Sequence, residues 1–490
     1  MTTLEQLLDM VEESREELIE LTQELVRIPS VNTGHNHEPP WPPSGKPGPG
    51  ESFAEPIVPY ILEGDEPTGD ELPCAELIQS TLAENGIEST IYKSQENRAN
   101  IAASLPGKGG DESLLYMSHI DVVPVEDESQ WKYPPFGGEI HDGRIWGRGA
   151  SDMKGTVAAE VMAMILLKRA GVDLAGDLKL AVCADEESGG AYGFGWLQQH
   201  YPETLKANYA INEGGGAPIK EGDRLIYPIN TGEKGRLEVR IHVTGRGFHA
   251  SQPWKADNAI YKAEEIVRRI RTYEPEISTD HEIFDHLETL AGVTDPVTPE
   301  TIDGILEEIA KERESLASFL KAASRMTLVA SMIHGGVKSN SVAENCRITC
   351  DVRTLPHQDA EYVQREVEKL CEGIEGTRVE VIETSPPSAS PYDHPYLDHV
   401  MAATKNTVKR AIGRDDIEFV PGITVGFTDS SFVRPLGNIA YGFTPGHPDA
   451  DPSKSGAHNI NESADIESIV NICRFMVALA WETVVDKQAG

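Results

Sequence analysis

Apolar positions recur along the chain in two periods, and the change from one to the other divides it. Near the N-terminus Leu4, Leu7, Leu8, Val11, Leu18, Leu21 and Leu25 fall on one side of a 3.6-residue repeat, which predicts an amphipathic helix. Beyond a stretch rich in Pro and Gly (residues 32–69, including EPPWPPSGKPGPG), short apolar runs alternate with helical ones. LLYMSHI, LKLAVCA and NYAIN read as strands; ELIQSTLAENGI, TVAAEVMAMILLKRAG and GWLQQHYP read as helices. Strands that are apolar throughout, separated by helices, predict an α/β fold whose mainly parallel sheet is covered by helices on both faces. At Glu233 the period changes. GRLEVRIHVTG alternates in steps of two, as a strand with one solvated face does, and TLVASMIHGG, CRITCDVRTL and RVEVIET continue the block with helices between them. The Pro-rich SPPSASPYDHP marks the return, and ESIVNICRFMVALAWETVV closes the chain as a helix. The expected organisation is an α/β domain in two parts, 1–232 and 387–490, with an α+β domain inserted at 233–386.

The length of 490 residues agrees with more than one domain, because single cores stop growing near ~250–300 residues. Acidic residues number 80 against 43 basic, a formal charge of −37. That charge repels phosphate backbones and anionic lipid, so neither nucleic acid nor a membrane surface is an expected partner. No run of 18 apolar residues is present, and the acidic N-terminus lacks the pattern of a signal peptide, so a cytoplasmic protein is expected. The acidic excess is spread over the whole chain, which favours a halophilic, salt-rich cytoplasm, where screening shrinks to ~3 Å at 1 M. Cys74, Cys183, Cys346, Cys350, Cys371 and Cys473 form no CxxC pair and sit mostly in apolar runs, so reduced buried thiols are expected.

The chemistry gathers at strand ends. His119 and Asp121 end one strand, and Asp185, Glu186 and Glu187 follow another. Glu213 ends a third, while Asp152 lies in the loop GRGASDMKG just before a helix. Ligands of open α/β sheets bind outside the carboxyl ends of the strands, so these segments are expected to converge. Carboxylates so clustered need a cation to neutralise them. One His with several carboxylates suits Zn, Co or Mn, and more than four donors points to two ions sharing a bridging carboxylate. Asp121, two residues after His119, can fix the imidazole tautomer. His35 and His37 read as solvated loop histidines. There is no GxSxG elbow after a strand and no GxxxxGK[ST] loop, which sets aside serine-hydrolase and nucleotide chemistry.

HIDVVP, GRGASDMKG, ADEESGG, NEGGG and, near the C-terminus, AHNINES resemble, in this order, the M20 family of metallopeptidases and amidohydrolases. The resemblance implies a co-catalytic di-zinc hydrolase that cleaves the amide of N-acyl amino acids or short peptides bearing a free carboxylate. His119 and Glu213 would bind one zinc, Glu187 and His458 the other, with Asp152 bridging; cobalt or manganese could replace zinc. Glu186 would be the general base. The inserted block resembles the family's lid and dimerisation domain and implies a homodimer. There His249 would stabilise the oxyanion, often across the dimer interface, and Asn340 and Arg353 would contact the substrate and its carboxylate. Thr428 and Asp429 match a stretch near the active-site mouth. Asn340 is followed by SVAEN rather than the family's Val-Pro turn, and the lid carries extra sequence around 275–325. Two alternatives stand beside this reading: a biosynthetic acetylornithine deacetylase or succinyl-diaminopimelate desuccinylase, and a metal-dependent binding protein that has lost catalysis. An intact Glu186 and ligand set argue against the last.

Overall fold

The computed structural model describes residues 2–33, 69–110 and 112–487, so His35, His37 and most of the Pro-rich stretch lie outside the described residues. Its centre is a mixed sheet in which Leu178–Cys183, Leu114–His119, Tyr209–Asn212 and Ile439–Gly442 run parallel, in that spatial order. The expected parallel sheet is therefore its middle. Antiparallel neighbours flank it: Ala99–Leu105 and Ser89–Lys93 on one side, Arg224–Glu233 on the other.

Every residue of Leu114–His119 is buried, and its alternate side chains enter different cores. Leu114 and Tyr116 pack with the helices Leu4–Glu13, Arg15–Arg27, Gly155–Ala170 and Ile466–Thr483. Leu115 and Met117 pack with Phe194, Leu197, Leu205 and Val433 on the opposite face. Covering both faces is what makes the central strands apolar throughout. The helix Gly155–Ala170 is wedged between sheet and outer helices, so its residues 155–167 are all buried, which explains an apolar run with no polar stripe.

The N-terminal stretch forms two helices rather than one. Ser14 ends the first and begins the second with ψ near 12°, outside the helical range. Serine offers its backbone competing hydrogen bonds and is weak in a helix interior, so it is a natural place for the break.

A second sheet, all antiparallel, has the order Thr327–Gly335, Asn345–Thr354, Gly235–Thr244, Thr377–Ser385. Helices Ala259–Arg271 and Ala360–Cys371 cover one face and form a separate core with Leu237, Val239, Ile241, Ile348 and Val352. The period-two pattern after Glu233 thus marks a real change of core. The extra sequence in the middle of the block behaves differently. Its helices Ile302–Ala310 and Glu314–Ala323 pack on Ile226, Val420 and Ile423, strand residues of the large sheet. Lys234 joins the strand Arg224–Glu233 to Gly235–Thr244 and is buried there. Its ammonium donates to the carbonyls of Ala322 and Arg325, each at 2.7 Å, and burial pushes it down to about 7. All six cysteines are buried and unbridged.

Candidate metal centre

Because Leu114–His119, Leu178–Cys183 and Tyr209–Asn212 are parallel, their carboxyl ends open on one edge, and the acidic and imidazole groups meet there. His119 Nε2 lies 3.1 Å from Asp152 Oδ1 and 3.6 Å from Glu213 Oε1. His458 Nε2 lies 3.1 Å from the other Asp152 oxygen, Oδ2, and 3.0 Å from Glu187 Oε2. The result is two three-donor sets, His119–Asp152–Glu213 and Asp152–Glu187–His458, each with its atoms within 4.8 Å of one another. They share one aspartate through its two different oxygens.

The donor set fits two divalent cations. Imidazole and carboxylate are the ligands of borderline-to-hard ions, and each trio leaves coordination positions open. Electrostatics points the same way. Burial, then the nearby Asp152 carboxylate, pushes Glu213 up to about 8, and burial raises Glu187 as well. Hydrogen bonds with Asp152 and Glu187 raise His458 to about 10. Without a cation the cluster tends to hold protons, and a cation in their place lets every carboxylate ionise.

Asp121 organises the floor. His119 Nδ1 lies 3.0 Å from the Asp121 carbonyl and 3.4 Å from its carboxylate, partners that would hold the proton on Nδ1 and leave the Nε2 lone pair for a cation bound in the cluster. The same carboxylate accepts the backbone N–H of Glu186 and of Glu187, each at 3.1 Å, and the Asn32 amide at 2.8 Å. The Glu186–Glu187 turn is therefore pinned by its backbone, leaving both side chains free for chemistry. Glu186 is 9% exposed, and burial, with Glu213 adding, raises its carboxyl well above the usual range.

Asp185 belongs to the support and not to the donors. It has φ of 72°, uncommon outside glycine, and its carboxylate turns to Arg98 Nη1 at 2.5 Å, the Tyr192 N–H at 2.8 Å and Asn32 at 3.2 Å. Arg98 is wholly buried and also donates to Glu71 at 3.2 Å. Thr428 donates to Glu233 at 2.7 Å at the junction of the two sheets. Asp429 is buried against Gly190, where a Cβ would lie 2.7 Å from its carboxylate oxygen, so glycine is required.

Three sequence-expected residues stand apart from the donor cluster. His249 and Asn340 are exposed and close together: the Ala250 N–H donates to the Asn340 carbonyl at 3.1 Å, and His249 bridges to Ser341. Both lie at one end of the small sheet, where Thr244 pairs with Asn345. Arg353 lies at the other end, opposite Arg236, with its guanidinium on Asp351 at 2.8 Å. From Arg236 to Thr244 the strand rises through eight residue-to-residue steps, about 27 Å at ~3.4 Å per step.

Residues 115–482 match the profile of peptidase family M20/M25/M40, about three quarters of the chain. The chain belongs to this family. An M20 chain is a hydrolase of peptide and other amide bonds, and the family's peptidases are metal-dependent. Among curated relatives, the probable succinyl-diaminopimelate desuccinylase of Staphylococcus aureus (strain MRSA252) is 26% identical over 376 residues, covering 76% of this chain and 83% of its own. Carboxypeptidase S of Saccharomyces cerevisiae is 27% identical over 425 residues, covering 76% of this chain and 71% of its own. The fold is shared with an M20 family metallo-carboxypeptidase from Sulfolobus solfataricus at TM-score 0.63 and 20% identity, covering 95% and 98% of the two chains. The Saccharomyces cerevisiae di-peptidase Dug1p shares it at TM-score 0.64 and 15% identity, covering 98% of each. Among the described residues, no helix is long and apolar enough to cross a membrane.

Sequence reasoning missed the residues that brace this M20 site. Asn32, Arg98, Arg148 and Glu462 are buried and bonded to ligand-bearing loops. Arg148 and Glu462 had a usable signal: charged residues inside glycine-flanked or ligand-bearing motifs, GRGAS and AHNINES.

Proposed function

We propose that the protein is a di-metal hydrolase of N-acyl amino acids or short peptides with a free carboxylate, with zinc the first choice of ion and cobalt or manganese able to replace it. The observation that carries this reading is the Asp152 carboxylate, which offers one oxygen to each donor trio. His119 and Glu213 would hold one ion, Glu187 and His458 the other. Bound there, the ions would supply positive charge that acidifies the attacking water and polarises the scissile carbonyl.

The chain's own groups do the rest. Glu186 takes the proton from the attacking water and delivers it to the leaving nitrogen, one carboxylate serving as base and then acid. Its backbone is held by Asp121, so proton transfer does not disturb the ligand Glu187 beside it. With the ions bound, Asp121 would keep the His119 proton on Nδ1, which its carbonyl at 3.0 Å supports. Arg353, at the end of the small sheet nearest the large domain, takes the substrate carboxylate, for which a planar guanidinium is matched. The biosynthetic deacylase reading is retained as the second reading because of the desuccinylase relatives.

Kinetics on a panel of N-acyl amino acids, dipeptides and N-succinyl diamino acids, with Zn, Co and Mn each restored to stripped protein, separates these readings. Carboxylate-bearing substrates are expected to be preferred, and blocking the substrate carboxylate as its amide is expected to lower kcat/KM by about 10–100-fold. Equal rates on acid and amide remove the role given to Arg353.

The insert at 233–386 is proposed as lid and dimerisation domain. Its edge strand Thr327–Gly335 carries Val329 (58% exposed), Met332 and Ile333, and Val337 (76%) follows, an apolar edge of the kind that pairs with another chain. The 27 Å between Arg353 and the Asn340 end supports a division of labour. Arg353 would serve its own metal centre, and His249 with Asn340 the partner's, where the imidazole stabilises the oxyanion. Glu186→Gln and His249→Ala proteins are each expected to be nearly inactive. Dissociated and reassociated together at equal amounts, they are expected to recover roughly a quarter of native activity, because half the dimers are mixed and each holds one complete site. No recovery, despite mixed dimers by mass, contradicts the shared site.

A further inference from the structure

The loop that carries His458 is fastened at its foot by a buried carboxylate outside the donor set. Residues 455–463 form a closed loop: the Ser463 N–H donates to the Ser455 carbonyl at 2.9 Å, and His458 stands near the crown with φ of 62° and its side chain 56% exposed. Glu462, fully buried, sits at the base. Its Oε1 accepts the backbone N–H groups of Ser151 and Asp152, at 3.0 and 3.1 Å, and its Oε2 accepts Arg148 Nη1 at 2.6 Å. Its own carbonyl accepts the Gly147 N–H at 3.0 Å. Arg148 is 2% exposed, with its guanidinium carbon 5.3 Å from the Trp131 ring.

One side chain thus clamps the backbone of the shared aspartate to the loop that supplies the second histidine. Asp152 is common to both trios, so the asymmetry between them lies in their histidines: the clamp also fixes the loop of His458 and does not touch His119 or Glu213. His119 is 1% exposed at the end of a central strand, its ring locked by Asp121, and Glu213 follows directly on another central strand. Both are set by the sheet. His458 is half-exposed on a loop whose feet are held by the Glu462 contacts, by Arg144, which donates to the Ser463 hydroxyl and carbonyl at 2.8 and 2.6 Å, and by the Lys132 N–H, which donates to Asn461 at 2.6 Å; of these, the Glu462 side chain is the one that also holds the backbone of Asp152.

We infer that Glu462, supported by Arg148, is a positioning residue that sets the affinity of the second ion site, Asp152–Glu187–His458, and leaves the first, His119–Asp152–Glu213, nearly unchanged. This rests on the two-ion reading above. Partners that orient metal ligands from outside the coordination shell are typically worth 10–100-fold in affinity. The neutral amide of Glu462→Gln has one acceptor oxygen, which can serve the two amides or Arg148 but not both, and its NH2 faces another donor.

The test is titration of metal-stripped, full-length native and Glu462→Gln proteins with Zn²⁺, read by calorimetry and by metal content after gel filtration. Native protein is expected to take up two ions. The variant is expected to bind the first within about twofold of native and the second about 10–100-fold more weakly. Thermal unfolding of the stripped proteins serves as a control, since a merely structural role would lower the unfolding temperature without separating the two ions. If Glu462→Gln does not fold, Arg148→Gln takes its place with the same expectation. Two ions at native affinities in the variant, or both weakened equally, overturn the assignment alone. A single ion in native protein overturns the two-ion reading and the assignment with it.

Discussion

Glu186→Gln is expected to lower kcat by about 10²–10⁴-fold, with both metal ions retained and KM little changed. Gln has nearly the shape of Glu but cannot take a proton from water at neutral pH, so the change removes one function and little else. The structure makes this variant unusually clean. The Glu186 N–H is tied to the Asp121 carboxylate at 3.1 Å, and so is the Glu187 N–H, so the turn keeps its form whatever the 186 side chain is. Glu187 continues to face His458 at 3.0 Å. Metal content by atomic emission and single-turnover rates on a good substrate are the measurements. A fall in metal content alongside the rate would place Glu186 among the ligands, and near-native turnover with both ions present would remove it from the mechanism.

Asp152→Ala is expected to have the broadest effect of any ligand change. Among the described residues Asp152 is the one donor common to both trios, one oxygen 3.1 Å from His119 and the other 3.1 Å from His458. Its loss takes a donor from both sites and leaves Glu187 and Glu213 facing one another without the bridge. Loss of metal assistance is worth several kcal/mol of transition-state stabilisation, roughly 10³-fold or more in kcat/KM. Stripping native protein with a chelator is expected to do the same, reversibly. Zn, Co or Mn should restore activity to stripped native protein and not to Asp152→Ala. The stripped protein should also unfold at lower temperature, because ions at ~1,000 times their Kd add about 4 kcal/mol to the folded state. Restoration of full activity to Asp152→Ala by any of these metals would remove the bridging role.

Four of the candidate donors were legible as a cluster because each sits at a place where fold and chemistry coincide, whereas His458 rested on the family resemblance alone. His119, Glu187 and Glu213 follow apolar strands, and the parallel order of those strands brings their ends together. Asp152 lies in a glycine-lined loop before a helix. The change of core was legible for a similar reason: at Glu233 the apolar period changes from continuous to alternating as one core gives way to another. The bracing residues were not. Asn32 reaches Asp121 across 89 positions and Arg148 reaches Glu462 across 314. The motifs around Arg148 and Glu462 mark them as unusual charged residues, but nothing local says that they pair with each other. The helical stretch around 303–323 was legible as helix, and only its packing partner escaped. Its apolar faces are ordinary, and periodicity does not say that they cover Ile226 and Val420 of the large sheet instead of the small one.

The account turns on two ions held on either side of one aspartate. Crystals of the zinc-loaded protein, with data collected on both sides of the zinc absorption edge, test it most directly. Two anomalous peaks per chain are expected, ~3.5–4 Å apart, one beside His119 and Glu213 and one beside Glu187 and His458, with the Asp152 carboxylate between them. A single fully occupied peak, or two that do not share Asp152, would contradict it.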